Sequence, residues 1–217
     1  EQLGCLRTVA AHAGGLPLIM GLSGYHLPDT RAWVQRLAAP DVPPLAGLLV
    51  PAPHYVRPAQ DGLRAWFTAL ADASAVPLVV YDIPYRTGAT LARETLLALA
   101  AHPNIRAVKD CGGDPGKTLA LIRDGRLQVL AGEDAQLFAT VAQGGAGAIA
   151  ASAHVHTRRF VAVLDAIAVG DLPCARQAWH PLVPLIEALF AEANPGPLKA
   201  LLAAQGWCAN ELRAPMT

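Results

Sequence analysis

The chain has 217 residues, 53% of them hydrophobic and 16% charged, enough to bury a large core and of a length that fits one folded domain. Lys+Arg and Asp+Glu both number 17, so the basic excess that nucleic acid or an anionic membrane surface calls for is lacking, and the expected partner is a small molecule, with no nucleic acid and no membrane. Charges also interrupt every apolar stretch before it reaches the roughly 18 to 20 residues that a membrane-spanning helix needs.

The first residues, Glu1-Gln2-Leu3-Gly4-Cys5-Leu6-Arg7, have neither an initiator Met nor the basic head and apolar run of a signal peptide, and read as the interior of a helix. From there short runs rich in β-branched residues alternate with longer Ala/Leu-rich amphipathic stretches. Strands are predicted at Leu16 to Leu22, Leu45 to Val50, Pro77 to Ile83, Asn104 to Lys109, Leu127 to Ala131 and Ala146 to Ala151. Helices are predicted at Asp29 to Ala38, Ala59 to Ala73, Ala92 to Ala101, Pro115 to Asp124, Asp134 to Gln143 and Thr157 to Val169. Pro58 and Pro115 suit helix starts, Gly125 a helix stop, and Pro77 the opening of a strand. Beyond the sixth unit the pattern is helix only, from Leu172 through Glu192 and from Pro195 to about Gln205.

Six βα units fit either an open doubly wound sheet or part of a closed (β/α)8 barrel. No strand is followed by a GxGxxG turn, and the polar residues with chemical potential gather at the C-terminal ends of several different strands, which favours the barrel. The expected architecture is therefore an α/β TIM barrel lacking its first two strands. Residues 1–170 form the partial barrel (strands 3–8), and 171–217 form a C-terminal helical region. Two βα units, roughly sixty residues on the scale of such barrels, are then expected before Glu1.

Lysine is rare here, confined to Lys109, Lys117 and Lys199. Lys109 ends the run Asn104 to Lys109, where residues two apart share a face, so it should follow Ile105 and Ala107 and point into the barrel mouth. An ammonium there is costly, and a lysine that gives up its proton is the amine that condenses with carbonyl groups. The plainer reading is a strand-end lysine paired with an acid such as Asp110. Lys117 and Lys199, on helical stretches with polar surroundings, read as solvated. After the strand Pro77 to Val80 comes Tyr81-Asp82-Ile83-Pro84-Tyr85-Arg86-Thr87-Gly88. A tyrosine at a strand end can relay protons, and an arginine in the following loop can grip a carboxylate with two parallel hydrogen bonds.

These blocks occur in order with Pro53-His54-Tyr55-Val56-Arg57-Pro58, Val108-Lys109-Asp110, Gly132-Glu133-Asp134, Gly144-Gly145-Ala146-Gly147-Ala148-Ile149 and Asn194-Pro195-Gly196-Pro197-Leu198-Lys199. Together they resemble the dihydrodipicolinate synthase and N-acetylneuraminate lyase family of Schiff-base (β/α)8 barrels with a C-terminal helical bundle. The resemblance implies that Lys109 is the Schiff-base lysine, Tyr81 the proton-relaying tyrosine, Arg86 the carboxylate clamp and Ile149 the residue whose backbone borders the bound keto acid. It implies that Tyr55 reaches a neighbouring subunit's site across a dimer interface, hence a homo-oligomer, often a tetramer. The implied partners are pyruvate and an aldehyde. The implied cofactor is none beyond the covalent Schiff base on Lys109; a cytoplasmic setting is expected separately, from the cysteine usage. Arg86 favours the branch that condenses pyruvate with aspartate semialdehyde, 4-hydroxy-tetrahydrodipicolinate synthase, on the route to diaminopimelate and lysine.

The chain departs from the family pattern in places. The family's Gly-Thr-Thr-Gly-Glu segment has no counterpart, Asp82 stands where synthases usually have Asn, Tyr85 occupies a position that is often small, and Asp110 replaces the more usual Glu. The effector pocket of lysine-inhibited members corresponds to His54, Tyr25 and Asp29 in place of a tyrosine, an asparagine and a glutamate. Sugar-acid aldolases, dehydratases and hydratase-aldolases share the lysine and tyrosine and remain open. So does a non-catalytic keto-acid-binding or structural paralogue, for which the absent threonine segment argues. A phosphate-binding barrel enzyme using Gly144 to Gly147 is weaker, because those glycines suit a tight turn with a close backbone approach. His154 and His156 lack a third ligand at metal spacing. Cys5, Cys111, Cys174 and Cys208 form no CxxC pair and read as buried or half-buried thiols of a reducing compartment. Trp66, Phe67, Trp179 and Phe190 read as core or interface packing.

Overall fold

The alternation of β-branched runs with Ala/Leu-rich stretches becomes alternating strands and helices in the computed structural model, which describes residues 1–217. The chain falls into two units, Glu1–Val129 and Leu130–Thr217.

In the first unit α1 (Gln2–His12) precedes β1 (Ile19–Gly21), α2 (Leu27–Arg36), β2 (Gly47–Pro51), α3 (Gln60–Ala73) and β3 (Leu78–Asp82). Then come α4 (Pro84–Thr87), α5 (Arg93–Leu99), β4 (Ile105–Asp110) and α6 (Pro115–Asp124). All its strand pairs are parallel: Met20 lies opposite Leu48, Leu49 opposite Val79, and Val80 opposite Val108. Parallel neighbours need a crossover, and the intervening helices supply it. Leu48, Val50, Leu78, Val80 and Val108 join Leu63, Phe67 and Leu70 of α3 in one buried cluster, so this face of the sheet is the one the helices cover.

The predicted bounds of α6 match the observed ones because both ends carry local signals. The Asp114 carboxylate accepts a hydrogen bond from the Lys117 N–H at 3.0 Å, Pro115 occupies the first turn, and Gly125 closes the helix at φ 75°. Pro58, read as a helix start, instead lies two residues ahead of α3. The short helix α4 was not expected from the sequence, since four residues are too few for a periodic pattern. Strand β1 covers only part of the predicted Leu16 to Leu22 run, where three residues find partners on β2 and Leu16 is exposed.

Strand β5 (Gln128–Ala131) runs across the boundary between the units. The second unit continues through a 3-10 turn (Asp134–Gln136), α7 (Leu137–Ala142), β6 (Gly147–Ala148), α8 (Ala153–Ala168), α9 (Leu172–Trp179), α10 (Val183–Leu189) and α11 (Gly196–Ala204). Leu130 pairs in parallel with Gly147. The helix expected from Leu172 to Glu192 is broken by a 3-10 turn at His180–Leu182, where Pro181 and Pro184 remove backbone donors and crowd the preceding turn. Helix α8 starts earlier than predicted and bends at His156. Gly145 bears out the tight-turn reading, since a Cβ there would come within 2.7 Å of the Thr140 carbonyl oxygen.

Ala131, Leu137, Phe160, Val163, Trp179, Leu182 and Ile186 form the second unit's own core, with Phe138 stacked on Trp179 at 6.1 Å between ring centroids. Trp66 and Phe67 are buried as expected, whereas Phe190 is 40% exposed. All four cysteines are free thiols, but only Cys111 is buried; Cys5, Cys174 and Cys208 are exposed, contrary to expectation, because helix ends and the chain's tail carry them. No helix is long and apolar enough to cross a membrane. Phe67 is fully buried in the first core. Phe67→Ala is expected to destabilise the chain by about 3–5 kcal/mol, read as a lower urea midpoint.

Candidate active site

The C-terminal ends of β3 and β4 bring the two chemically pointed residues together. Tyr81 lies opposite Lys109 and Asp82 opposite Asp110. The Lys109 ammonium nitrogen donates to the Tyr81 hydroxyl at 3.1 Å and sits 4.2 Å from the centre of its ring. Both side chains are half-buried.

The route by which Lys109 reaches that face differs from the sequence reading. Ile105 was placed on its face, but the ladder slips by one residue: Leu78 pairs with Ile105, and Val79 with Ala107. The extra residue, Arg106, is a bulge that inverts the alternation. Ile105 therefore joins Leu78, Val80 and Val108 in the helix-covered core, while Ala107 and Lys109 share the other face with Val79 and Tyr81.

Behind the strands, Asp82 and Asp110 point toward the helices, and the surprise there is Lys117. Read as a solvated helix lysine, it is 5% exposed and donates to the fully buried Asp82 carboxylate. Its nitrogen also lies 3.4 Å from the Leu91 carbonyl oxygen and 4.0 Å from Asp110. Asp82 further accepts the Leu91 N–H at 3.3 Å, and Asp110 accepts from the Gly112 N–H at 2.8 Å and the Thr118 hydroxyl at 2.6 Å. Burial pushes the Asp82 carboxyl above the usual carboxylate range and nearby Asp110 adds to this, against the pull of the Lys117 ammonium. The plainer partner imagined for Lys109, Asp110, is thus engaged on the opposite side of the sheet. The sequence carried one hint of this network: Asp82 and Lys117 are both unusual, the first for its position and the second for its residue type. Nothing local to either shows that they meet. Lys199, also read as solvated, is half-buried and donates to the Glu211 carbonyl, because the tail folds back over α11.

The loops after β2 and β3 are tied to each other. The Tyr55 N–H donates to the Thr87 carbonyl oxygen at 3.1 Å, and Gly88 makes room for Arg57, whose Nε would stand 2.8 Å from a Cβ at that position. Tyr55 and Arg57 adopt φ of 73° and 45°, a region that non-glycine residues occupy at a cost and that recurs at functional sites. Tyr55 is 88% exposed. Arg86, on α4, is exposed, its guanidinium carbon 6.0 Å from the centre of the Tyr85 ring. Of the positions matched to an effector pocket, Tyr25 meets His54 edge-on at 5.2 Å, and Asp29 pairs with His26 at 2.8 Å. Ile149 belongs to the second unit, where its N–H donates to the Ala131 carbonyl oxygen at 3.0 Å. In the same unit the buried Asp134 carboxylate accepts the N–H groups of Ala151 and Ser152 at 3.2 and 2.6 Å.

Residues 7–217 match the Dihydrodipicolinate synthetase family. The chain belongs to that family. A 4-hydroxy-tetrahydrodipicolinate synthase of Limosilactobacillus fermentum is 38% identical over 205 residues, covering 94% of this chain and 65% of the relative. 4-Hydroxy-tetrahydrodipicolinate synthase 1 of Streptomyces coelicolor is 42% identical over 197 residues, covering 90% of this chain and 65% of the relative. The chain thus spans slightly less than two thirds of the length of these curated family members. The crystal structure of dihydrodipicolinate synthase from Aquifex aeolicus superposes on the whole chain with a TM-score of 0.91 at 27% identity, using 74% of its own length. The family's parallel α/β arrangement is therefore present here.

Removing the ammonium of Lys117 would leave Asp82 buried without its counter-charge. Lys117→Met is expected to cost about 3–5 kcal/mol in denaturant unfolding, while the partly exposed Lys199→Met costs about 1 kcal/mol or less.

Proposed function

We propose that the chain acts as a Schiff-base lyase that condenses pyruvate with an aldehyde, as a 4-hydroxy-tetrahydrodipicolinate synthase. The observation that carries this reading is the Tyr81 hydroxyl held 3.1 Å from the Lys109 amine at facing strand ends, in a family whose curated members carry that name.

The neutral amine of Lys109 attacks the ketone carbon of pyruvate, and water leaves as the carbinolamine collapses to an iminium. Tyr81, already in hydrogen-bond contact with the amine, carries protons for this step. The iminium draws electrons from the adjacent methyl group, which loses a proton to give an enamine. The enamine carbon then bonds to the carbonyl carbon of aspartate semialdehyde, whose carboxylate Arg86 grips, and the carbonyl oxygen takes up a proton as the iminium re-forms. The substrate's amino group attacks the iminium carbon, closing the ring and expelling the Lys109 amine, which leaves a cyclic precursor of diaminopimelate and lysine. The iminium is itself the electron sink, so the chemistry asks for no metal or other cofactor.

In this reading residues 1–170 belong to a (β/α)8 barrel as its strands 3–8, and 171–217 form the helical region that follows. Tyr55, exposed on a strained loop, serves the site of a second copy in a cytoplasmic homo-oligomer.

Borohydride reduction in the presence of pyruvate is expected to leave a reduced adduct on the peptide that contains Lys109. An unmodified Lys109 would end the assignment and favour a non-catalytic keto-acid binder. Tyr81→Phe is expected to slow adduct formation by about 10²-fold or more, the usual worth of a positioned proton donor. Arg86→Ala is expected to leave pyruvate trapping intact and to raise KM for aspartate semialdehyde by about tenfold or more, the cost of a lost charge-assisted hydrogen bond. An unchanged KM for that aldehyde, with a changed one for sugar-acid aldehydes, would move the chain to another branch.

A further inference from the structure

Consecutive residues of a strand project to opposite faces, so Tyr81 and Asp82, like Lys109 and Asp110, form two back-to-back pairs across β3 and β4. On the helix side the Lys117 ammonium bonds Asp82 and lies 4.0 Å from Asp110. One nitrogen thereby joins the ends of both strands to the first turn of α6. The same cluster holds the segment that follows the Arg86 turn, because Leu91 donates its N–H to Asp82 and accepts from Lys117 through its carbonyl. Thr118 adds a second bond from α6 to Asp110. The space is closed: a Cβ at Gly112 would come within 2.8 Å of the Asp82 carboxylate and 3.0 Å of that of Asp110. Charged groups so deeply buried are costly to desolvate, and cores of hydrophobic residues commonly match their stability, so stability is a weak reason for their presence.

We infer that Asp82 and Lys117 are a positioning pair, which fixes the Tyr81 hydroxyl against the Lys109 amine from the far side of the sheet. The inference rests on the assignment of Tyr81 and Lys109 as the reacting groups. Neither Asp82 nor Lys117 touches substrate. Their part is to set the relative height of the two strand ends, and chemistry that depends on a near-attack geometry loses on the order of 10²-fold for a misplacement of about 1 Å.

The test is the double variant Asp82→Asn/Lys117→Met in the full chain, which removes both charges of the ion pair and leaves Asp110 its bonds from the Gly112 N–H and the Thr118 hydroxyl. Thermal unfolding, the rate of pyruvate trapping by borohydride per folded molecule, and a crystal structure are compared with the unsubstituted chain. A melting temperature within a few degrees, trapping slowed by about tenfold or more, and a Tyr81–Lys109 separation beyond 3.5 Å support the positioning role. Trapping at the original rate with the contact intact overturns it, since a pair that only stabilises would move the melting temperature alone. If the double variant does not fold, Asp82→Asn by itself serves, because Lys117 then keeps Asp110 and the Leu91 carbonyl. Trapping slowed severalfold with a lengthened Tyr81–Lys109 contact supports the inference, and no change in either refutes it. Should the unsubstituted chain trap no pyruvate, the Schiff-base assignment fails, and the Tyr81–Lys109 separation in the variant still decides whether the pair positions these groups.

Discussion

The parallel pairing of β3 with β4 is the constraint on which the candidate site depends. With Tyr81 opposite Lys109, the two side chains that can handle a carbonyl group emerge on the same face at the same height, and Asp82 and Asp110 are thrown together on the other. A slip of one residue would exchange the faces, burying the lysine among the helices and turning a carboxylate toward the opposite side. The bulge at Arg106 belongs to this constraint: it lets Ile105 stay in the helix-covered core while Lys109 still reaches the opposite face.

From that pairing the energetics divide by face. The helix-covered side is mostly aliphatic, with Leu48, Val50, Leu78, Val80 and Val108 against α3, and burial of such side chains supplies the main favourable contribution to folding. At the strand ends the same side turns ionic, with Asp82, Asp110 and Lys117 deeply buried and each of the three in hydrogen bonds. A charge cluster there demands close geometry, since every polar group that loses a partner in a dry interior is strongly destabilising. The cluster lies on the face of β3 and β4 opposite Tyr81 and Lys109.

The loops on the site side are held by different means. A hydrogen bond from the Tyr55 N–H to the Thr87 carbonyl and the packing of Arg57 against the bare backbone of Gly88 join the loop after β2 to the turn that carries Arg86. Tyr55 and Arg86 thus stand on segments fixed by main-chain contacts, while their side chains remain exposed. Tyr85, itself exposed, lies beside the Arg86 guanidinium on the same short helix.

Much of this was legible in the residues alone. Short β-branched runs, punctuating residues such as Pro115 and Gly125, and the ordered blocks around Tyr55, Tyr81, Lys109 and Arg86 located the elements and the family, because these signals are local or lie in short stretches of chain. The sequence could not show which lysine is buried. Lys117 looks solvated in its own helix turn, and only the folding of α6 over the ends of β3 and β4 brings it to Asp82, 35 residues away. The same holds for the phase of β4, since a bulge exists only relative to a partner strand, and for the break at Pro181, where tertiary packing settles whether a proline bends a helix or ends it. Local chemistry determined what each segment is; which buried charges meet was decided by contacts between segments far apart in the chain, and no periodicity records those.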